Sequence, residues 1–171
     1  MPSFSAMTFG QRLTGVLKLQ AATFEEIEAN ASATTQAVAV VIIASVAAGI
    51  GVGVLGGPGT LIRETLGALI GWIMWAGVTY VIGARLLPEP GTRTDMGELL
   101  RVIGFSYAPN LFAVFAFVPL LGGVVRVVVA CWLLAATVIA VRQALDYRST
   151  FRAVAVVLLG WLIFLLITWI V

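Results

Sequence analysis

Apolar residues fill this chain in blocks of about twenty, and the charged residues fall between the blocks rather than inside them. A helix crosses the hydrocarbon of a bilayer in about 20 residues. Five windows carry no internal charge or nearly none: 34–56, 65–84, 102–121, 124–141 and 153–171. Pro58 and Gly59, the PEPG of residues 88–91, and Gly122 and Gly123 occupy three of the gaps. These are turn formers, placed where a membrane chain must reverse. The pattern predicts an all-α fold: a polytopic membrane helical bundle of five transmembrane helices.

The pattern differs before the first window. Phe9, Leu13, Val16 and Leu17 recur at helical spacing, which places them on one face. Thr8 with Gln11, and Thr23 with Glu26, have the spacing of capping boxes. Two short helices are therefore expected within an amphipathic segment, 1–33, ahead of a transmembrane domain, 34–171. The segment either lies in the membrane interface or packs on the ends of the spans, and the pattern fits both.

Composition agrees with the spans. The 171 residues are 61% hydrophobic and 11% charged, with a mean hydropathy of +1.08, against about 25% charged in a soluble domain. Net charge is only +2, which gives no reason to expect nucleic acid as a partner. Five spans put the termini on opposite faces. One face collects Arg12, Lys18, Arg85, Arg93, Arg101, Arg142, Arg148 and Arg152; the other holds Arg63 and Arg126. By the positive-inside rule the N-terminus is cytoplasmic and the C-terminus outside. Glu64 alone of the acids falls on the outer face.

Chemistry is sparse. There is no histidine and one cysteine, Cys131, set in an apolar run as a small hydrophobe. A disulfide within the chain and a histidine-based metal site or triad are excluded. No phosphate loop or intramembrane acid pair is present, so the reading is a non-enzyme without cofactors. Glu98 and Arg101, one turn apart, read as a solvated pair. The NAS at Asn30 matches a glycosylation acceptor, by chance on a cytoplasmic segment.

The GFSYAPN of residues 104–110 interrupts the third window. Pro109 lacks an N–H and its ring clashes with the carbonyl of Phe105, so a kink is expected, and Pro119 repeats the defect near the outer end. On a continuous α-helix Ser106, Asn110 and Ala113 share a face with Tyr107 beside it, while Gly104 and Ala108 form a small face for another helix. Tyr107 and Asn110 either satisfy the broken backbone or meet a ligand, lipid headgroup or partner. The rows Gly49, Gly53 and Gly57, and Gly67 and Gly71, have the four-residue spacing that brings helices close. They predict tight packing of spans one and two. Trp169 fits an interfacial anchor, and the other outer tryptophans fit packing roles.

Three stretches carry a family resemblance. ELLRVIGFSYAPNLF (98–112) resembles the glycine–aromatic pair and proline in the third span of the Yip domain family, membrane proteins named for interaction with Rab-type GTPases. FGQRLTGVLKLQAATFEEI (9–27) resembles the opening of bacterial members, and CWLLAATVIAVRQAL (131–145) resembles the fourth span with its arginine exit. The resemblance implies a non-catalytic scaffold or adaptor in membrane organisation or assembly. Its motif positions are Gly104, Tyr107 and Pro109. The expected partners are the lipid bilayer and other membrane proteins, or further copies of the chain. The long cytosolic N-terminal region of eukaryotic members is missing, which argues against GTPase binding. The alternatives are a small transporter or channel using the third span, and an accessory subunit of a larger complex. Arginine outnumbers lysine nine to one, a bias of GC-rich bacterial genomes, so the bacterial inner membrane is the expected location.

Overall fold

The computed structural model describes residues 7–52 and 58–170, and every regular element among them is helical. Two short helices, α1 (Phe9–Leu17) and α2 (Ala21–Ala29), precede α3 (Ala33–Gly51). Helix α4 (Pro58–Tyr80) continues into a π-helical turn, Val81–Leu86. Next come α5 (Met96–Ser106), a 3-10 helix (Ala108–Phe117), α6 (Gly122–Ala144) and α7 (Thr150–Ile170). Four segments are long and apolar enough to cross a membrane: Ala33–Gly51, Gly59–Leu86, Met96–Phe117 and Gly122–Ala144; Thr150–Leu166 is a fifth, shorter apolar stretch.

Small residues make much of the helix contact, and large aliphatic residues face outward. Helix α3 buries Ala33, Ala37, Val40, Val41, Ala44, Ala47 and Gly51, a single stripe at helical spacing. Helix α4 turns Ile62, Leu66, Ile70 and Ile73 outward, and α6 does the same with Val124, Val127 and Val128. A soluble fold would reverse this, because water penalises large exposed apolar patches. Lipid does not, and close helix packing there relies on small residues. Of the tryptophans expected toward the outer face, Trp72 and Trp75 are core residues, whereas Trp161 and Trp169 are exposed.

Helices α1 and α2 form a hairpin packed on the bundle. The capping box of Thr8 and Gln11 starts α1. The reversal passes through Leu19 in the left-handed region (φ 57°), with Leu19 N–H bonded to Val16 O and Gln20 N–H to Gly15 O. Those two bonds close a Schellman cap. Gly15 permits the crossing, since a Cβ there would overlap Thr23. The expected box at Thr23 and Glu26 does not form: α2 already begins at Ala21, Thr23 is buried within it, and Glu26 is taken by Arg12. Val16, Phe24 and Ile27 are fully buried, and Phe9 packs its ring 6.2 Å from Phe105.

One end of the bundle gathers this hairpin and two connections. Gln143 Nε2 donates to Glu25 at 2.6 Å. Arg152 pairs with Glu89 at 3.4 Å. The Tyr147 hydroxyl lies 2.8 Å from Gly83 O and 2.7 Å from Leu87 O, carbonyls of the wide π turn and the residue after it. Arg101 is buried and donates to the Ile27 and Glu28 carbonyls at the C-terminal end of α2. Glu98 instead caps α5 with Asp95. The expected solvated pair of Glu98 and Arg101 is thus replaced by two separate caps, because the last carbonyls of α2 need donors that water cannot reach.

Candidate functional site

The third span changes helix type where its proline falls. Helix α5 ends at Ser106, and the chain continues from Ala108 as a 3-10 helix with Pro109 in its first turn. Pro109 has no N–H for an α-helical bond, and i→i+3 bonding resumes with Asn110 N–H to Tyr107 O at 2.9 Å. The expected kink is therefore a switch of helix type. Pro119 falls after the 3-10 helix, in the turn before α6, and bends no helix.

The switch separates residues that a continuous α-helix would align. Four residues turn the chain to within about 40° of its starting face in an α-helix but about 120° away in a 3-10 helix. Ser106 is fully buried, donates to Ile103 O at 2.7 Å and lies 3.3 Å from Thr137 Oγ1 on α6. Asn110 lies on another side, in a cleft of about 490 Å³ with Ser45, Ala48, Gly49, Val52, Glu64 and Ala68. The shared polar stripe is not formed. Gly104 is buried where α3 and α4 close on it: a Cβ there would come within 2.8 Å of Ala37 Cβ and 3.2 Å of the Trp72 ring. Trp72 Nε1 donates to Leu100 O at 3.1 Å beside it.

Tyr107 lines the cleft and also a second cavity of about 250 Å³. The second cavity lies among α4, α6 and α7 and is walled by Gly67, Gly71, Trp75, Leu134, Trp161 and Phe164, with Thr137 as its polar residue besides Tyr107. Ala68 and Tyr107 belong to both walls. No described residue hydrogen-bonds the Tyr107 hydroxyl or the Asn110 amide, so neither side chain repairs the broken backbone.

The glycine rows lie differently from the expectation of tight packing. Gly49 lines the cleft, across from Glu64 and Ala68 of α4. Gly67 has nothing within 4 Å of an added Cβ, and Gly71 meets only Phe164 of α7, at 3.8 Å. Gly53 and Gly57 lie outside the described residues. The close approach is made instead by Gly51, where a Cβ would land on the Ala113 carbonyl of the 3-10 helix. That helix packs along α3.

Two lining residues escape a reading by periodicity. Ser45 looks like one more small residue of an apolar span, although Ser45, Gly49 and Val52 share helical spacing. Glu64 looks like a loop acid, but it lies within α4 at the rim of the cleft, where Arg63 Nη2 is 3.2 Å from its Oε1. Among the described residues no cluster of three or more acidic, cysteine or histidine side chains could hold a metal ion.

Compared with known families, residues 14–171 match the model of the Yip1 domain. No curated protein and no solved structure matches the chain. The match spans the second helical half of the hairpin motif and all five apolar segments, so this helical membrane bundle, with its proline-switched third span, belongs to the Yip1 domain family.

Proposed function

We propose that the protein is a non-catalytic membrane scaffold, using the hairpin end of its bundle as an assembly surface on the cytoplasmic side of a bacterial inner membrane. The observation that carries this reading is the docking of the hairpin through Arg12. Its guanidinium is 1% exposed and bonds Glu26 and Gln36, at 2.7–2.8 Å. A tether needs no such anchor. A rigid face does, and this one presents Gln11, Thr14 and Lys18 outward. The excess of arginine and lysine on the hairpin side supports the cytoplasmic placement.

Because the hairpin covers buried Phe24 and Ile27, deleting it would expose the core. A photo-crosslinking residue at Gln11, Thr14 or Lys18, in the full chain in native membranes, tests the surface without that damage. The same partner protein captured at all three positions supports the scaffold. Capture of lipid alone, with recovery of a lone monomer, removes it.

A second reading, a small carrier, draws on the two cavities that Ala68 and Tyr107 both line. Solute flux in reconstituted liposomes that falls in Asn110→Leu would favour it over the scaffold.

A further inference from the structure

The outer cleft has a charged rim and a polar wall, and beyond Tyr107 lies an apolar chamber. Glu64 lines the cleft at its rim, and the Arg63 guanidinium lies 3.2 Å from its carboxylate, both groups exposed. An exposed pair of this kind contributes little to folding, so both groups remain available to another charge pair. Deeper in, the Asn110 amide offers donors and an acceptor, and Ser45, whose hydroxyl already donates to Ile42 O, can only accept. Past Ala68 and Tyr107 the walls become aromatic and aliphatic.

From this arrangement we infer that the cleft is a binding site for a phospholipid whose headgroup carries a primary ammonium. Glu64 accepts from the ammonium, Arg63 holds the phosphate, Asn110 meets the ester region, and one acyl chain enters the chamber behind Tyr107. The rim selects a zwitterion because it presents both signs. It selects a primary over a quaternary ammonium because a carboxylate accepts N–H bonds, whereas a quaternary ammonium is held by an aromatic cage, and among the described residues Tyr107 is the only aromatic one lining the cleft. The site lies at the opposite end of the bundle from the hairpin and does not depend on the scaffold reading.

The test is native mass spectrometry on the full, delipidated chain in mild detergent. Dioleoyl phosphatidylethanolamine, phosphatidylcholine and phosphatidylglycerol are offered at equal concentration. One ethanolamine lipid per chain is expected to survive activation that strips loosely held lipid, bound on the order of tenfold more tightly than the other two, as one charge-assisted hydrogen bond supplies. Glu64→Gln should remove that preference while leaving the melting temperature unchanged, because Glu64 is exposed. Ala68→Phe should weaken binding of all three lipids by closing the junction. Equal retention of the three lipids overturns the site, and so does an ethanolamine preference that survives Glu64→Gln. A dimer that takes up no lipid also overturns it and gives the cleft to a second copy of the chain.

Discussion

The Arg12 guanidinium grips the Glu26 carboxylate with two hydrogen bonds, Nε to Oε2 at 2.8 Å and Nη2 to Oε1 at 2.7 Å. Nη1 is spent on Gln36 of α3 at 2.7 Å. Asn30 and the Met7 N–H also donate to Glu26, so the carboxylate is well satisfied. Arg12→Ala would leave this carboxylate half-buried without its counter-charge. It should destabilise the bundle by about 3 kcal/mol, as breaking one side of a buried pair does. Lower melting temperature in detergent, with new protease cuts before residue 33, is the expected outcome. Arg12→Lys should recover little, because an ammonium cannot hold the two carboxylate oxygens and Gln36 in the same planar fork.

Two glycine substitutions should have opposite signs. Gly51→Ala drives a methyl into the Ala113 carbonyl, and backbone cannot step aside as a flexible side chain does. The expected cost is about 1–3 kcal/mol, the range for overpacking. Gly67→Ala meets open space and removes backbone freedom from the unfolded chain, so it should be neutral or stabilising by up to about 1 kcal/mol. Thermal melts of the two variants side by side check this. A destabilised Gly67→Ala would mean that α4 meets another helix at that row.

The hairpin end should respond to pH in two directions. Hydrogen bonds from Arg12 hold the Glu26 carboxyl below its usual range, against the effect of its burial. Burial pushes the Glu28 carboxyl up to about 7, with Asp146, Glu98 and Glu25 adding to the rise and Arg101 opposing it. Glu26 therefore contributes stability above its ordinary value of 4.5 that is lost as pH falls through its lowered folded value. Glu28 works the other way: the folded state holds its proton more tightly, so stability declines as pH rises from 4.5 to about 7. Melting temperature should peak on the mildly acidic side. Glu28→Gln should flatten the decline toward neutrality and leave the acid limb in place. Parallel curves for the two proteins would refute the assignment.

The spans were legible because a bilayer reads local composition. Each apolar block is a continuous run, and its length sets the helix. The Thr8–Gln11 cap was legible for the same reason, since both partners lie within one turn. The roles of Arg12 and Arg101 were not. Their positions argue for solvated positive-inside charges, yet each is buried on partners 14 and 73–74 residues away. No local pattern carries a contact at that separation. The glycine rows misled for a related reason. Small residues permit close approach, but the helix that uses the permission is chosen by the whole packing, and here the 3-10 helix took it at Gly51. At the third span the proline was visible and its consequence was not: a kink and a change of helix type satisfy the same missing N–H.

That ambiguity makes Pro109 the most direct handle on the site. A 3-10 helix rises about 2.0 Å per residue and an α-helix about 1.5 Å, so ten residues differ in length by about 5 Å. The 3-10 form of Ala108–Phe117 therefore extends the span and turns Asn110 away from Ser106. Pro109→Ala restores an N–H that can reach the Phe105 carbonyl, and alanine favours the α form. The segment should shorten toward α geometry, carrying Asn110 out of the cleft toward the Ser106 face. Spin labels at Arg93 and Phe117, which are exposed and bracket the switch, should draw closer by a few ångströms, within the ~5 Å limit. An unchanged distance would show that packing along α3, with Gly51 against Ala113, holds the 3-10 form without the proline.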